Sequence, residues 1–156
     1  MKILVTVGTT RFDKLIKQIA SISALPHMAN NFFMCQKANG LSNPETENYK
    51  EVEFIQSIEN EYSHYDLVIS HAGAGSIFSL LDHEKKIIIA PNLDRLDKHQ
   101  SDIAKYMGEK EFAMICWDIE DLENLIINAS SFQPKKFELV RFFKNDEFID
   151  HINNAW

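Results

Sequence analysis

The chain has 156 residues, of which 45% are hydrophobic and 25% charged, and a net charge of -7. That length is enough to bury about two thirds of the unfolded surface without disulfide or metal staples, so the chain reads as one domain over residues 1–156. The acidic balance argues against a polynucleotide partner, which needs a basic face to displace counterions. The apolar runs fall well short of the ~20 residues a membrane span requires.

Met1-Lys2 leads directly into the strand expected at residues 3–7, with no charged, apolar and small-residue progression of a secretory leader, so the cytoplasm is the expected compartment. Helix follows at about 11–22, strand at 31–36 and 51–55, and helix at 57–63. Next come strand 66–70, helix 75–83, strand 86–91, helix 98–109, strand 112–116 and helix 119–128. A helical piece runs from about 134 to 156, where Lys135, Lys136, Arg141 and Lys144 stand among Phe132, Phe137, Phe142 and Phe143. Short β-branched runs separated by helices imply an α/β fold, a Rossmann-like parallel sheet with helices on both faces. The polar stretch 39–48 is expected to be a tolerant surface loop. Cys35 and Cys116 sit in apolar surroundings without metal or redox spacing and are expected to be buried, reduced and structural.

The most informative segment is residues 66–82, where an apolar strand runs through His71-Ala-Gly-Ala-Gly-Ser76 into an apolar helix. Gly73 and Gly75 are expected to turn the backbone tightly and let a ligand approach, with Ala74, Ser76 and the first helical amides offered to an anion. Gly8-Thr9-Thr10 repeats that context after the first strand, and Thr9 and Thr10 can also cap the helix that follows. His71 either caps its strand end or meets the ligand. The strand at 86–91 delivers Asn92, Asp94, Asp97, His99 and Gln100 to the same edge, with Asp97 and Gln100 spaced as a helix-capping pair. Phe78 stands where a dinucleotide fingerprint asks for a third glycine. The histidines have no ligand spacing and no cluster of carboxylates appears, so no metal is expected. Nor is there a nucleophile-elbow pattern.

Taken in order, Val5-Thr-Val-Gly-Thr-Thr10 with Phe12-Asp13, then residues 66–77, then Pro91-Asn92 and Asp97-Lys-His-Gln100 resemble a known family over nearly the whole chain. The chain is similar to the donor-binding half of GT-B glycosyltransferases of the family 28 type, in the form found in split enzymes. Those include the dolichol-linked N-acetylglucosaminyltransferase and the small bacterial subunits of exopolysaccharide and capsule synthesis. The resemblance implies a UDP-sugar as substrate, no cofactor, and transfer of a hexose-type sugar with inversion to a polyprenyl-diphosphate-linked acceptor. It places the diphosphate at Gly8, Thr9, Thr10, Gly73, Ala74, Gly75 and Ser76, with His71 beside it. Uracil falls at Phe54 and Ile55, and the sugar at Asn92, Asp97, His99 and Gln100.

The resemblance further implies a membrane-anchored, acceptor-binding partner that carries the lipid-linked saccharide and the general base, docked by the C-terminal segment. Through that partner the chain would lie at the inner face of the membrane. Within this chain only His99 is a candidate for the base. Three positions depart from the family pattern: Ser79 in place of an acidic ribose contact, Lys85-Lys86 in place of Gly-Pro, and Lys37-Ala38 where a glycine is common. Two other readings stand beside this one, an NAD(P)-linked or other nucleotide-binding Rossmann enzyme and a non-catalytic sugar-nucleotide-binding regulatory subunit.

Overall fold

A computed structural model of the chain describes residues 1–94 and 99–137. Within them six parallel strands form one sheet: β1 Lys2–Thr6, β2 Phe32–Gln36, β3 Tyr49–Val52, β4 Leu67–Ser70, β5 Ile87–Ile89 and β6 Met114–Ile115. Their order is β3-β2-β1-β4-β5-β6, so the chain winds outward from β1 in one direction and from β4 in the other. Four helices cross over between strands or follow them: α1 Asp13–Ser23, α2 Ala74–Asp82, α3 His99–Glu109 and α4 Leu122–Asn128. Adjacent ends of β1 and β4, where the order reverses, open the crevice in which doubly wound sheets take ligands.

Successive strand residues face opposite sides, and both sides are buried. Ile3, Val5, Leu67, Ile69 and Ile88 pack with Leu15, Ile16, Ile19 and Ile22 of α1 and Leu122 and Ile126 of α4. Leu4, Val68, Ile87 and Ile89 pack with Ile77, Leu80 and Leu81 of α2 and Ala104 and Met107 of α3. Central strands thus read as continuous apolar runs, as a sheet covered on both faces demands. Both cysteines are buried and free, as expected.

Three elements differ from the sequence expectation. The third strand begins at Tyr49 and ends at Val52, earlier than the expected 51–55 at both ends. Tyr49 is fully buried and pairs across from Phe33, and its hydroxyl donates to Glu51 in a short hydrogen bond, which fixes the register. The segment expected as a helix at 57–63 is a 3-10 helix, Ile58–His64, entered through Ser57 at φ 51. Tyr62 is its one buried side chain, so the segment presents no apolar stripe at α-helical spacing to the core. Residues 134–137 carry no regular structure, and the remainder of the expected C-terminal helix lies outside the described residues.

The 39–48 loop is irregular but tethered. Leu41 N–H donates to Asp13 Oδ1 at 3.0 Å, Asn43 Nδ2 to Glu51 Oε1 at 2.9 Å, and Lys37 Nζ to Gly40 O at 2.9 Å. Arg11 pairs with the same Asp13, and its hydrogen bond holds the Asp13 carboxyl below the usual range. A backbone polar group left unpaired near the protein interior is destabilising, so these bonds set the loop's path rather than leaving it loose. No helix among the described residues is long and apolar enough to cross a membrane.

Candidate functional site

Thr6 and Ser70 sit opposite each other at the ends of β1 and β4, so the two glycine turns that follow lie side by side. Gly8 adopts φ 61, in the left-handed region that glycine enters without the steric cost of a Cβ. Its N–H donates to Thr6 Oγ1 at 3.1 Å, and Thr10 N–H closes the turn on Val7 O at 3.2 Å. Thr9 is exposed and Thr10 half-buried. Neither caps the helix: α1 starts at Asp13 with Phe12 in the capping position and no side-chain cap. Capping therefore does not explain the two threonines at the mouth of the crevice.

On the β4 side, Gly73 precedes α2 with φ -77 and ψ 122, again without a side-chain cap. The ladder of α2 begins with Ile77 N–H to Gly73 O at 3.0 Å, so the amides of Ala74, Gly75 and Ser76 precede its first bond. These groups and the helix dipole make that end attractive to an anion. Neither Gly73 nor Gly75 has positive φ. Each is small for a different reason. A Cβ on Gly73 would stand 2.5 Å from His71 Nε2, whereas a Cβ on Gly75 would meet nothing within 4 Å. Packing therefore requires glycine at 73, while 75 faces open space.

His71 is 9% exposed, and its ring is wedged between the turns, since a Cβ on Gly8 would also come within 2.8 Å of its Cε1. Its backbone N–H donates to Thr6 O at 3.2 Å, and Ser70 Oγ donates to its carbonyl at 3.0 Å. The imidazole packs between the two glycine turns.

Phe54 and Ile55 lie just beyond β3 rather than at its end, with Phe54 63% exposed and Ile55 half-buried. At the other flank Asn92 N–H donates to Gln100 Oε1 at 3.0 Å, and Asp94 N–H to Asn92 Oδ1 at 3.3 Å. Gln100 thus braces the loop after β5 across the first turn of α3, where His99 is exposed. Asp97 lies outside the described residues, so its capping role and its place in the site do too. A narrow cleft of about 40 Å³ runs from Asn92 to Phe12, Lys14 and Trp117 along the same edge. A larger cavity of about 260 Å³, bounded by Leu81, Glu84, Lys85 and Phe137, lies at the opposite edge, away from both turns.

Among the departures, Lys85 Nζ donates to Tyr65 O at 2.6 Å and Lys86 Nζ to Ala129 O at 2.7 Å. Both brace the amino edge of the sheet and leave the crevice untouched. Ser79 sits one turn into α2 and hydrogen-bonds the side chain of Tyr62, whose phenol burial raises above its ordinary value. Ala38 occupies φ 53, the conformation that makes glycine common at this position.

Sequence reasoning missed Gln36. It ends β2, is 2% exposed, donates from Nε2 to Gly8 O at 2.9 Å and accepts from Ile55 N–H at 3.0 Å. The available signal was a polar side chain closing an otherwise apolar strand. Among the described residues no group of three or more His, Cys, Asp or Glu side chains comes together to hold a metal.

Strand order, two adjacent strand-to-helix turns and a line of hydrogen-bonding side chains along the carboxyl edge define an α/β domain of the doubly wound class, with a crevice where the order reverses. The Glycosyltransferase family 28 C-terminal domain matches residues 2–154, and the chain belongs to that family.

The UDP-N-acetylglucosamine transferase subunit ALG13 of Mus musculus is 30% identical over 120 residues, covering 72% of this chain and 10% of its own length. This chain therefore spans only a small part of that relative. The UDP-N-acetylglucosamine--N-acetylmuramyl-(pentapeptide) pyrophosphoryl-undecaprenol N-acetylglucosamine transferase of Prochlorococcus marinus is 29% identical over 150 residues, 91% of this chain and 38% of its own. In structure the chain is similar to the NMR solution structure of ALG13, with TM-score 0.60 and 18% identity over 99% of this chain and 95% of that one. That likeness concerns the fold.

Proposed function

We propose that this chain is the donor-binding subunit of a split, inverting glycosyltransferase that takes a sugar from a UDP-sugar, with UDP-N-acetylglucosamine the first candidate donor. The observation that carries the reading is the pair of turns at the ends of β1 and β4, with three helical amides ahead of the first bond of α2. Fixed donors of this kind stabilise negative charge where it develops, without reorganising at the moment of reaction.

In the reaction an acceptor hydroxyl attacks the anomeric carbon from the face opposite the diphosphate. The bond from that carbon to the diphosphate oxygen breaks, and its electron pair leaves with UDP. The Gly8 to Thr10 turn and the amides of Ala74, Gly75 and Ser76 receive the departing charge, and no metal is needed in this scheme. Asn92, His99 and Gln100, with Asp97, would read the sugar hydroxyls. The acceptor's proton goes to a base on a partner chain, with His99 the candidate within this chain.

The activities for which both relatives are named support N-acetylglucosamine as the sugar, and that of the bacterial relative supports a polyprenyl-diphosphate-linked acceptor. Delivery of the product to exopolysaccharide or capsule rests on the resemblance to small bacterial subunits alone. A membrane-anchored partner docked by the phenylalanine-rich residues from 134 onward would hold the chain at the membrane's inner face.

Thermal denaturation with UDP, UDP-N-acetylglucosamine, other UDP-sugars and NAD tests the reading. A ligand that binds only the folded state at 100 times its dissociation constant stabilises by about 2.7 kcal/mol, or roughly 5–10 °C for a chain of this size. Stabilisation by UDP and its N-acetylglucosamine conjugate is the expected result. Stabilisation by NAD and not by UDP would replace this reading with a dinucleotide enzyme. Transfer to a lipid-linked acceptor after reconstitution with a partner separates a catalytic subunit from a regulatory one.

A further inference from the structure

The loop after β3 and the turn after β1 are joined by one buried amide. Gln36 donates to Gly8 O and accepts from Ile55 N–H, and its amide satisfies both only in this orientation. Reversing it would set NH2 against N–H and oxygen against oxygen.

The consequence lies in the two peptide groups it holds. Among the described residues no peptide bond is cis, and in a planar trans peptide the C=O and the following N–H point in opposite directions. Gly8 C=O is drawn inward to Gln36, so Thr9 N–H points outward toward the crevice. Ile55 N–H is drawn inward to the same side chain, so Phe54 C=O points outward. Thr9 and Phe54 are both exposed residues. One amide therefore aims a donor where an anion would lie and an acceptor where a base would lie.

Resting on the reading of the crevice as a UDP-sugar site, we propose that Gln36 is a positioning residue for donor recognition. It orients Thr9 N–H toward the diphosphate and Phe54 C=O toward the imide N3–H of uracil. A carbonyl at that place discriminates between pyrimidines, because cytosine presents a lone pair at N3 where uracil presents a proton. It also makes base and diphosphate recognition interdependent, since both peptide planes depend on one side chain that touches neither ligand group.

Calorimetric titration of UDP and CDP into the wild-type chain, Gln36→Met and Gln36→Glu tests this. Wild type is expected to prefer UDP. Gln36→Met keeps the side-chain volume and loses both bonds, so UDP affinity should fall about tenfold or more and the UDP to CDP ratio should approach one. Gln36→Glu keeps the acceptor for Ile55 N–H, so the ratio should persist while UDP affinity falls. Measured relative to wild type at each pH, that loss should diminish as the introduced carboxyl protonates and can again donate to Gly8 O. A general packing defect would not show this pH-dependent rescue.

A folded Gln36→Met that binds UDP within about threefold of wild type, with an unchanged ratio, overturns the proposal alone. A wild-type chain that binds no UDP overturns the site reading and this proposal with it. Amide exchange and chemical shifts of the unsubstituted chain give a measurement that no variant's folding can obscure. UDP should shift the Thr9 amide far more than uridine does, while the Ile55 amide stays protected. Loss of Ile55 protection on UDP binding would show that the nucleotide displaces Gln36 and would refute the assignment.

Discussion

Replacing Gly75 separates folding from donor binding, because a Cβ at this position meets nothing within 4 Å and the residue already has helical geometry in α2. In Gly75→Ala the helix gains the propensity that glycine lacks, up to about 0.5–1 kcal/mol, with no clash to offset it. Gly75→Asp places a carboxylate in the first turn, where the helix dipole favours it by about 0.3–1 kcal/mol. Both variants should melt at or above the wild-type temperature. Donor binding should move the other way. A carboxylate about 5 Å from a phosphate is repelled by about 1–3 kcal/mol, for an environment between water and an effective dielectric of ~20. That is a loss of roughly 5- to 150-fold in UDP affinity. Paired calorimetric titration and thermal melts read the two effects on the same samples. If both variants fold and bind UDP as tightly as the wild type, the open space at Gly75 is not where the diphosphate lies. If both unfold, the description of Gly75 as unencumbered is wrong.

Ala38→Gly should stabilise the chain by about 1 kcal/mol in denaturant titration, because an L side chain in the left-handed region is strained by about 1–2 kcal/mol and Ala38 has φ 53. Gln100→Ala releases Asn92 N–H, which Gln100 Oε1 now holds, and should lower affinity for UDP-N-acetylglucosamine more than for UDP; equal losses would exclude Gln100 from sugar recognition. Burial raises the Cys116 thiol to about 12 and also lifts Cys35 and Tyr49 above their ordinary values. These groups stay neutral in the folded chain at a pH where the unfolded chain ionises. Their contribution to stability is therefore complete below pH ~9 and declines as pH rises toward ~12, so melting temperature should fall steadily over that range, whereas a flat alkaline profile would contradict their burial. Glu51→Ala removes the acceptor for Asn43 and Tyr49 and should speed limited proteolysis within residues 39–48.

Local pattern was enough for the sheet's central elements and for the two turns. Ile3 to Val7, Leu67 to Ser70 and Ile87 to Ile89 are apolar runs of strand length. A glycine at the mouth of a strand that opens into a helix is a local signature of an anion-facing turn. The order of motifs along the chain carried the family resemblance because it preserves that spacing. What the sequence could not specify depends on residues far apart meeting. The start of β3 follows from burying Tyr49 opposite Phe33 and not from the more alternating stretch after it. The 3-10 segment 58–64 buries only Tyr62 against the sheet, a contact that the local pattern does not reveal. Gly73 needs to be glycine because His71 fills the space beside it, and Gly75 does not for want of any neighbour.

Which strands end in glycine turns is written in consecutive residues and can be read locally. That β1 and β4 lie side by side, bringing the two turns together around one imidazole, emerges from long-range pairing. So does the reach of Gln36 to both Gly8 and Ile55. Those relations arise from parallel pairing of strands distant in the chain, where burial of both sheet faces rather than any local preference selects the neighbours.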